Sequence, residues 1–362
     1  MPKIRVQNSM KYVPYAPSFQ CPSKAQRLAA AGKNPPSWCL NDELFSPIPK
    51  CLSIDDWLAQ YAESGQTLRN FIYQNPWLCK RKHRIYKGEF NASGNNMSSK
   101  YPDGVVYMLP LGDMDPSFVE SLCDYAEIFL SIPVKVLTGA RLIRNEKKCL
   151  VEFYDKDLDV WISHKVQSRY HFSSNRIQLK VDYTTNGLLN LINKNCFPEN
   201  AICVVALTTF DLYMSPSDLF IAGLASGVKS VAVFSTFRYK PELAFDKGDW
   251  YKVEYEDNFS DEEKAAVLFE RCCRLFVHET SHLLGFDHCI FYKCCMNGSG
   301  HLEEDFRQPH SLCSIDLLKL QKLTGCNLIE RHRSLLKFYR KHKFENVIDN
   351  LEKELTEFIK CN

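Results

Sequence analysis

No stretch of the chain approaches eighteen consecutive apolar residues, and the first twenty, MPKIRVQNSMKYVPYAPSFQ, hold no apolar segment of the kind a secretory signal needs. Neither a membrane partner nor export is expected, and the sequence predicts an intracellular protein, cytoplasmic or nuclear. Charge of either sign is not in excess: 45 Lys and Arg against 43 Asp and Glu leave a formal net charge of +2. No extended basic surface follows from that balance, so nucleic acid is not an expected partner. Internal repeats and low-complexity tracts are missing as well. Cysteine, by contrast, is abundant, with 16 in 362 residues. In a small secreted chain such a count would signal disulfides, but this chain is long, lacks a leader and groups several thiols in one place, which favours reduced thiols and a metal.

That place is next to the most constraining stretch of the sequence. Residues 278 to 288 read His278-Glu279-Thr280-Ser281-His282-Leu283-Leu284-Gly285-Phe286-Asp287-His288, the pattern H-E-x-x-H-x-x-G-x-x-H. Two histidines four apart on a helix share a face and converge on one point, which makes a chelate. Glu279 can reach a metal-bound water without becoming a ligand, the position of a general base. Gly285 can take the positive φ that ends a helix, so that His288 swings back as a third ligand. Leu275, Phe276, Leu283 and Leu284 would pack the same helix into a core, and the two roles are compatible.

Behind the third histidine come Cys289, Cys294, Cys295 and Met296, then Cys313-Ser314-Ile315-Asp316. With them the stretch resembles the archaemetzincins, metzincin-type zinc metallopeptidases whose motif continues C-x₄-C-x-M and ends in a C-x-x-C pair; Asp316 stands where the last Cys is expected. The resemblance implies a hydrolase with a catalytic Zn²⁺ on His278, His282 and His288, with Glu279 as base and acid. It also implies a second, structural Zn²⁺ on Cys289, Cys294 and Cys313, and Met296 as the packing floor of a turn beneath the catalytic ion. A carboxylate oxygen can complete a tetrahedral zinc site, so Asp316 is the expected fourth ligand, with Cys295 and His310 as alternatives. Cys203, Cys272, Cys273 and Cys326 read as ordinary core residues.

The expected fold is α/β (α+β): a metzincin-like zincin with a twisted mixed sheet, the active-site helix above it and a small Cys-rich helical subdomain below. Residues 1–100 form an N-terminal extension of unassigned structure, with helical patches around Asp55 to Tyr73; 101–330 form the catalytic domain, with a zinc helix at about 262–284 and a Cys-rich subdomain at 289–326; 331–362 form a helical tail. Strands are expected at Val105 to Leu111, Val134 to Leu137, Ile177 to Tyr183 and Ala201 to Thr208, and helices at Phe118 to Leu130, at Thr184 to Asn195 with Thr184 as cap, and at Ser314 to Thr324 ended by Gly325. Two apolar segments, Leu219 to Leu224 and Ser230 to Phe237, suggest an edge hairpin, the strand on which metzincins pair a peptide substrate. Asp249 to Glu263 reads as a surface loop. The tail should bury Val347, Ile348, Leu351, Leu355, Phe358 and Ile359 on one face. Peptide or protein is the expected partner of a monomeric enzyme, and Tyr292 and Tyr213 are the candidate oxyanion stabilisers. A second reading keeps the fold as a catalytically weak, zinc-stabilised interaction protein, and a third restricts the enzyme to trimming short peptides as an aminopeptidase.

Overall fold

A computed structural model describes residues 4–5, 19–145, 148–171, 176–241 and 260–361. The sheet that organises them joins β1 (Val105–Leu111), β2 (Val134–Val136), β8 (Ala201–Thr208), β11 (Gly223–Ser226) and β12 (Val231–Ser235) in the spatial order β11-β12-β8-β1-β2. Four strands run parallel and β11 runs antiparallel at the edge. Every residue of β8 and β12 is buried, as continuous apolar runs in a sheet covered on both faces should be.

Alternate residues divide between two cores. Met108, Val205, Leu207 and Phe234 face helices α5 (Pro116–Leu130) and α7 (Asp261–Leu283), whereas Leu109, Leu111, Val204, Ala206 and Val233 face α6 (Leu188–Asn195) and strand segments beyond it. Those segments are β3 (Ala140–Asn145), β4 (Lys148–Asp155) and β5 (Val160–Val166), a three-stranded antiparallel sheet, and β6 (Ser168–Tyr170), β7 (Ile177–Lys180) and β9 (Asp211–Tyr213), another three-stranded sheet. Beside them β10 (Asp218–Phe220) leads into the edge hairpin, whose first arm is therefore shorter than the apolar run suggests. The helix expected from Thr184 starts three to four residues later, with Gly187 at its cap. Asp182 explains the shift, because its Oδ1 accepts from the backbone N–H and hydroxyl of Thr184 and holds that stretch as a turn.

The N-terminal residues contribute α1 (Lys24–Ala31), the single turn α2 (Trp57–Gln60), α3 (Leu68–Gln74) and the single turn α4 (Met97–Lys100). They pack on the Cys-rich segment, where α8 (Leu302–Phe306) and α9 (Ser314–Thr324) follow the metal motif; α1, α3 and α4 all contact α9. Gly325, at φ +76°, ends α9 as expected. The tail folds as two helices, α10 (Leu328–His342) and α11 (Glu345–Lys360), which turn at Lys343, φ +59°. Leu351 and Phe358 are buried there and Val347, Ile348 and Leu355 partly so, but Ile359 is half exposed. Phe358 meets Trp38 edge-on, so the tail touches the N-terminal residues as well as α5. Within the basic run of α10, Arg331 is buried and donates to the Phe129 carbonyl. Most of the loop expected over 249–263 lies outside the described residues.

Candidate metal centre

The long helix α7 begins with a full capping box, Ser260 and Glu263, and three acidic residues in its first turn, which complement the helix dipole. Eighteen residues after the Ser260 cap, its last turn and a half carries His278, Glu279 and His282. Three imidazoles meet there: the ring centroids are 4.8 Å apart for His278 and His282, 4.8 Å for His282 and His288, and 5.5 Å for His278 and His288.

Each ring is oriented through its Nδ1. His278 Nδ1 lies 2.6 Å from the Cys295 carbonyl and His282 Nδ1 lies 2.7 Å from the Phe286 carbonyl. His288 Nδ1 lies 2.9 Å from Glu63 Oε1, which also accepts from Trp57 Nε1 at 2.7 Å. A carbonyl can only accept, so His278 and His282 carry their protons on Nδ1 and both present bare Nε2 lone pairs. Those two nitrogens stand 3.1 Å apart. Two acceptors that close repel each other unless a cation lies between them. His288 Nε2 is buried with no partner of its own. Burial holds all three imidazoles below the usual histidine range, His282 and His288 most strongly because neighbouring rings add to the effect, so the neutral, ligating form is favoured. The donor set, its fixed tautomers and its orphaned nitrogen fit Zn²⁺ bound by three histidines with a position left open.

Glu279 is 4% exposed, and its Oε2 has no partner. Burial, with Asp305 adding to it, pushes the carboxyl up to about 8. His278 and Glu279 line a cavity together with Tyr239, Arg274, Leu302 and Asp305. Tyr292 and Tyr213 do not line it: Tyr292 is core, with Arg27 over its ring at 5.2 Å, and Tyr213 lies under Arg169 at 4.1 Å. Among the described residues the tyrosine that lines the cavity is Tyr239, in the short turn that follows the interior strand β12.

Helix α7 stops where His288 needs it to. Gly285 sits at φ +91°, and a Cβ there would approach Asn75 Nδ2 to 2.6 Å. The carbonyls left over at the helix end accept from N-terminal side chains: Leu283 from Trp77 Nε1 at 3.1 Å, Leu284 from Asn75 Nδ2 at 2.7 Å, and Gly285 from Gln66 Nε2 at 3.0 Å. Sequence reasoning missed these residues and Glu63, because their signal is a distance across more than 200 positions and not a local motif. On the far side of the turn the Cys289 amide donates to the Met296 carbonyl at 2.7 Å, and Met296 itself is fully buried.

A second cluster lies beyond. Cys289, Cys294, Cys313 and Asp316 are all buried, and their ligand atoms fall within 4.8 Å of one another. Cys289 Sγ is 3.6 Å from Cys313 Sγ, and Cys294 Sγ is 3.1 Å from Asp316 Oδ2. Asp316 Oδ1 turns the other way, to Lys319 Nζ at 2.7 Å, so one oxygen faces the thiols while the other holds a buried ammonium. Although burial opposes ionisation, the facing thiols and Lys319 hold Cys289 well below the usual thiol range. The set fits a closed site of three thiolates and one carboxylate. His310 is engaged elsewhere, 3.0 Å from Glu270 Oε1, and Cys295 contributes its carbonyl to His278.

Asp56, His301 and Glu304 also converge, but their atoms are already employed. Asp56 accepts from His301, Arg307 and the Leu52 and Ser53 amides, and Glu304 from the Trp57 and Gly300 amides. The trio is a clasp between the N-terminal residues and the Cys-rich segment.

No family model matches the chain. Among individual proteins it is 36% identical to human archaemetzincin-2, covering 76% of this chain and 86% of that one, and 30% identical to the mouse protein, covering 82% and 75%. Human archaemetzincin-1 is 29% identical over 77% of this chain and 51% of its own length. The crystal structure of archaemetzincin from Archaeoglobus fulgidus complexed with malonate superposes with a TM-score of 0.37 at 20% identity, over 59% of this chain and 99% of that one. By its likeness to the vertebrate proteins over most of its length, the chain belongs to the archaemetzincin family.

Proposed function

We propose that the chain is a zinc-dependent peptidase that hydrolyses peptide bonds at His278, His282 and His288, with Glu279 as general base and acid. The observation that carries this reading is the pair of bare Nε2 atoms 3.1 Å apart, with an unpartnered Glu279 Oε2 beside His278 in the cavity that both residues line. A zinc ion held by the three imidazoles would lower the pKa of a bound water to about 7 and polarise a carbonyl oxygen. The chain's own groups do the rest. Glu279 Oε2 accepts a proton and later returns it to the leaving amine. Cys295, Phe286 and Glu63 hold the imidazoles in the tautomer that ligates.

Substrate is held by the edge of the sheet. Among the described residues no strand pairs with the outer side of β11, and β11 packs against α7. An extended peptide that adds there runs antiparallel or parallel to Gly223–Ser226 and passes the cavity. Cys289, Cys294, Cys313 and Asp316 hold a structural zinc, which fixes the segment bearing His288 and Met296. The test is turnover of a peptide library by the zinc-loaded protein, with and without a chelator, and mass spectrometry of the products. Internal cuts abolished by chelation support the reading. Products shortened only from their amino ends point to an aminopeptidase, and silence across the library with zinc bound points to an interaction protein.

A further inference from the structure

The cavity beside His278 and Glu279 contains a charge that neither role above uses. Arg274 lies one helical turn before His278 on α7, on the same face, and is 4% exposed. Its Nη1 donates to the Gln308 carbonyl at 3.1 Å, which anchors the guanidinium. Its Nε and Nη2 are buried and have no hydrogen-bond partner. Those two nitrogens are adjacent on one edge of the guanidinium and form the side-on fork that matches the two oxygens of a carboxylate. Asp305 shares the cavity but does not occupy the fork: its carboxylate is hydrogen-bonded by Tyr239, and its Oδ2 has no partner. The remaining wall is largely apolar, from Phe220, Leu275 and Leu302, and the space amounts to about 40 Å³, room for one small polar group and not for a large ring.

We propose that Arg274 makes this cavity a carboxylate-binding subsite, so that the enzyme prefers peptides carrying an acidic side chain, or a free terminal carboxylate, beside the scissile bond. The inference rests on the peptidase reading for its consequence in turnover, but the binding it describes does not. A buried guanidinium with two idle donors gains most from an anion that meets both at once, and Gln308 holds the fork in place beforehand. Asp305 opposes an anion and favours a carboxamide, whose oxygen could face Arg274 while its amino group faces Asp305. The choice between the two is the measurement.

Peptides identical except for Asp, Glu, Asn or Leu at the position flanking the cleaved bond, together with a pair ending in a free acid or an amide, are assayed for kcat/KM on the zinc-loaded enzyme. The same peptides, fluorescently labelled, are titrated onto zinc-loaded Glu279→Gln protein and read by anisotropy. Asp or Glu is expected to exceed Asn and Leu by about tenfold in both arms. Arg274→Gln should level the series, Arg274→Lys should retain part of the preference, and Asp305→Asn should raise it. If the free acid exceeds its amide while the side-chain series is flat, the carboxylate recognised is the chain terminus. Asn equal to or better than Asp in a series where the free acid and amide also tie, or a preference that survives in folded Arg274→Gln, overturns the proposal. A wild-type protein that cleaves nothing defeats the peptidase reading, and the anisotropy arm still decides the subsite.

Discussion

The two clusters differ in what surrounds their donors. The histidine set borders a cavity through His278, and its rings are positioned by groups from three parts of the chain: Phe286 in the turn that follows α7, Cys295 in the segment beyond, and Glu63 from the N-terminal residues. The cysteine set is closed, with every ligand atom buried, no open side, and its own carboxylate tied back to Lys319. An open set keeps a place for a reacting group, whereas a closed one converts binding energy into folding energy. Only six residues separate His282 from Cys289, and His288 of the open set directly precedes Cys289 of the closed one, so one short turn carries the border between the two.

The largest effect should come from the closed set. Cys294→Ser is expected to reduce zinc from two ions per chain to one and to lower the melting temperature steeply, because the energy of a structural zinc, on the order of 10 kcal/mol in small domains, is folding energy. Elemental analysis and a thermal melt of the same preparation check it. Two ions in the variant would remove the distinction drawn between the clusters. Next comes the open set. Glu279→Gln should keep both ions and an unchanged melt yet lose about 10³-fold in kcat, since the amide cannot accept the proton. A variant that turns over normally would deny Glu279 its role.

The two centres were also legible to different degrees. The five fixed positions of the histidine motif are local, and a helix plus one glycine turn is enough to place them, so the sequence named every ring that meets here. The cysteines and Asp316 span 28 positions, and they too come together, with Lys319 unanticipated on the far oxygen. The parallel strands and α5, α7 and α9 follow from hydrophobic period. What could not be read is what depends on pairing at a distance. Glu63, Gln66, Asn75 and Trp77 lie in a stretch of mixed composition with only short helical patches, and nothing in their order announces that they meet residues 283–288. The antiparallel sheet of β3, β4 and β5 was missed too, because its third strand is mostly exposed and lacks the alternation that marks a half-buried strand.

Glu63 sharpens the comparison between ligands within the open set. His278 and His282 lean on backbone carbonyls that no substitution can remove, while His288 leans on a side chain. Glu63→Gln should therefore weaken the catalytic zinc by about 10- to 100-fold and leave the structural one in place. Competition with a chelator, followed ion by ion, distinguishes the two. Equal loss of both ions would show that Glu63 supports the fold as a whole and not His288 in particular.

The smallest effect expected lies in the turn between the centres. Gly285 is at φ +91°, a conformation that costs an L side chain energy, and the added methyl of Gly285→Ala would meet Asn75, whose amide caps Leu284. The strain and the displaced cap together should destabilise by about 1–3 kcal/mol, readable as a shift in the urea midpoint. If the turn is what aims His288, the same variant should also lose catalytic zinc more readily, since Gln66, Asn75 and Trp77 hold the carbonyls of residues 283–285 at that turn. Asn75→Ala separates the two contributions. It removes the cap and makes room for the methyl, so the double variant should cost less than the sum of the single ones. Strict additivity would mean that the alanine is penalised by its backbone alone, and that the brace from the N-terminal residues does not act through this glycine.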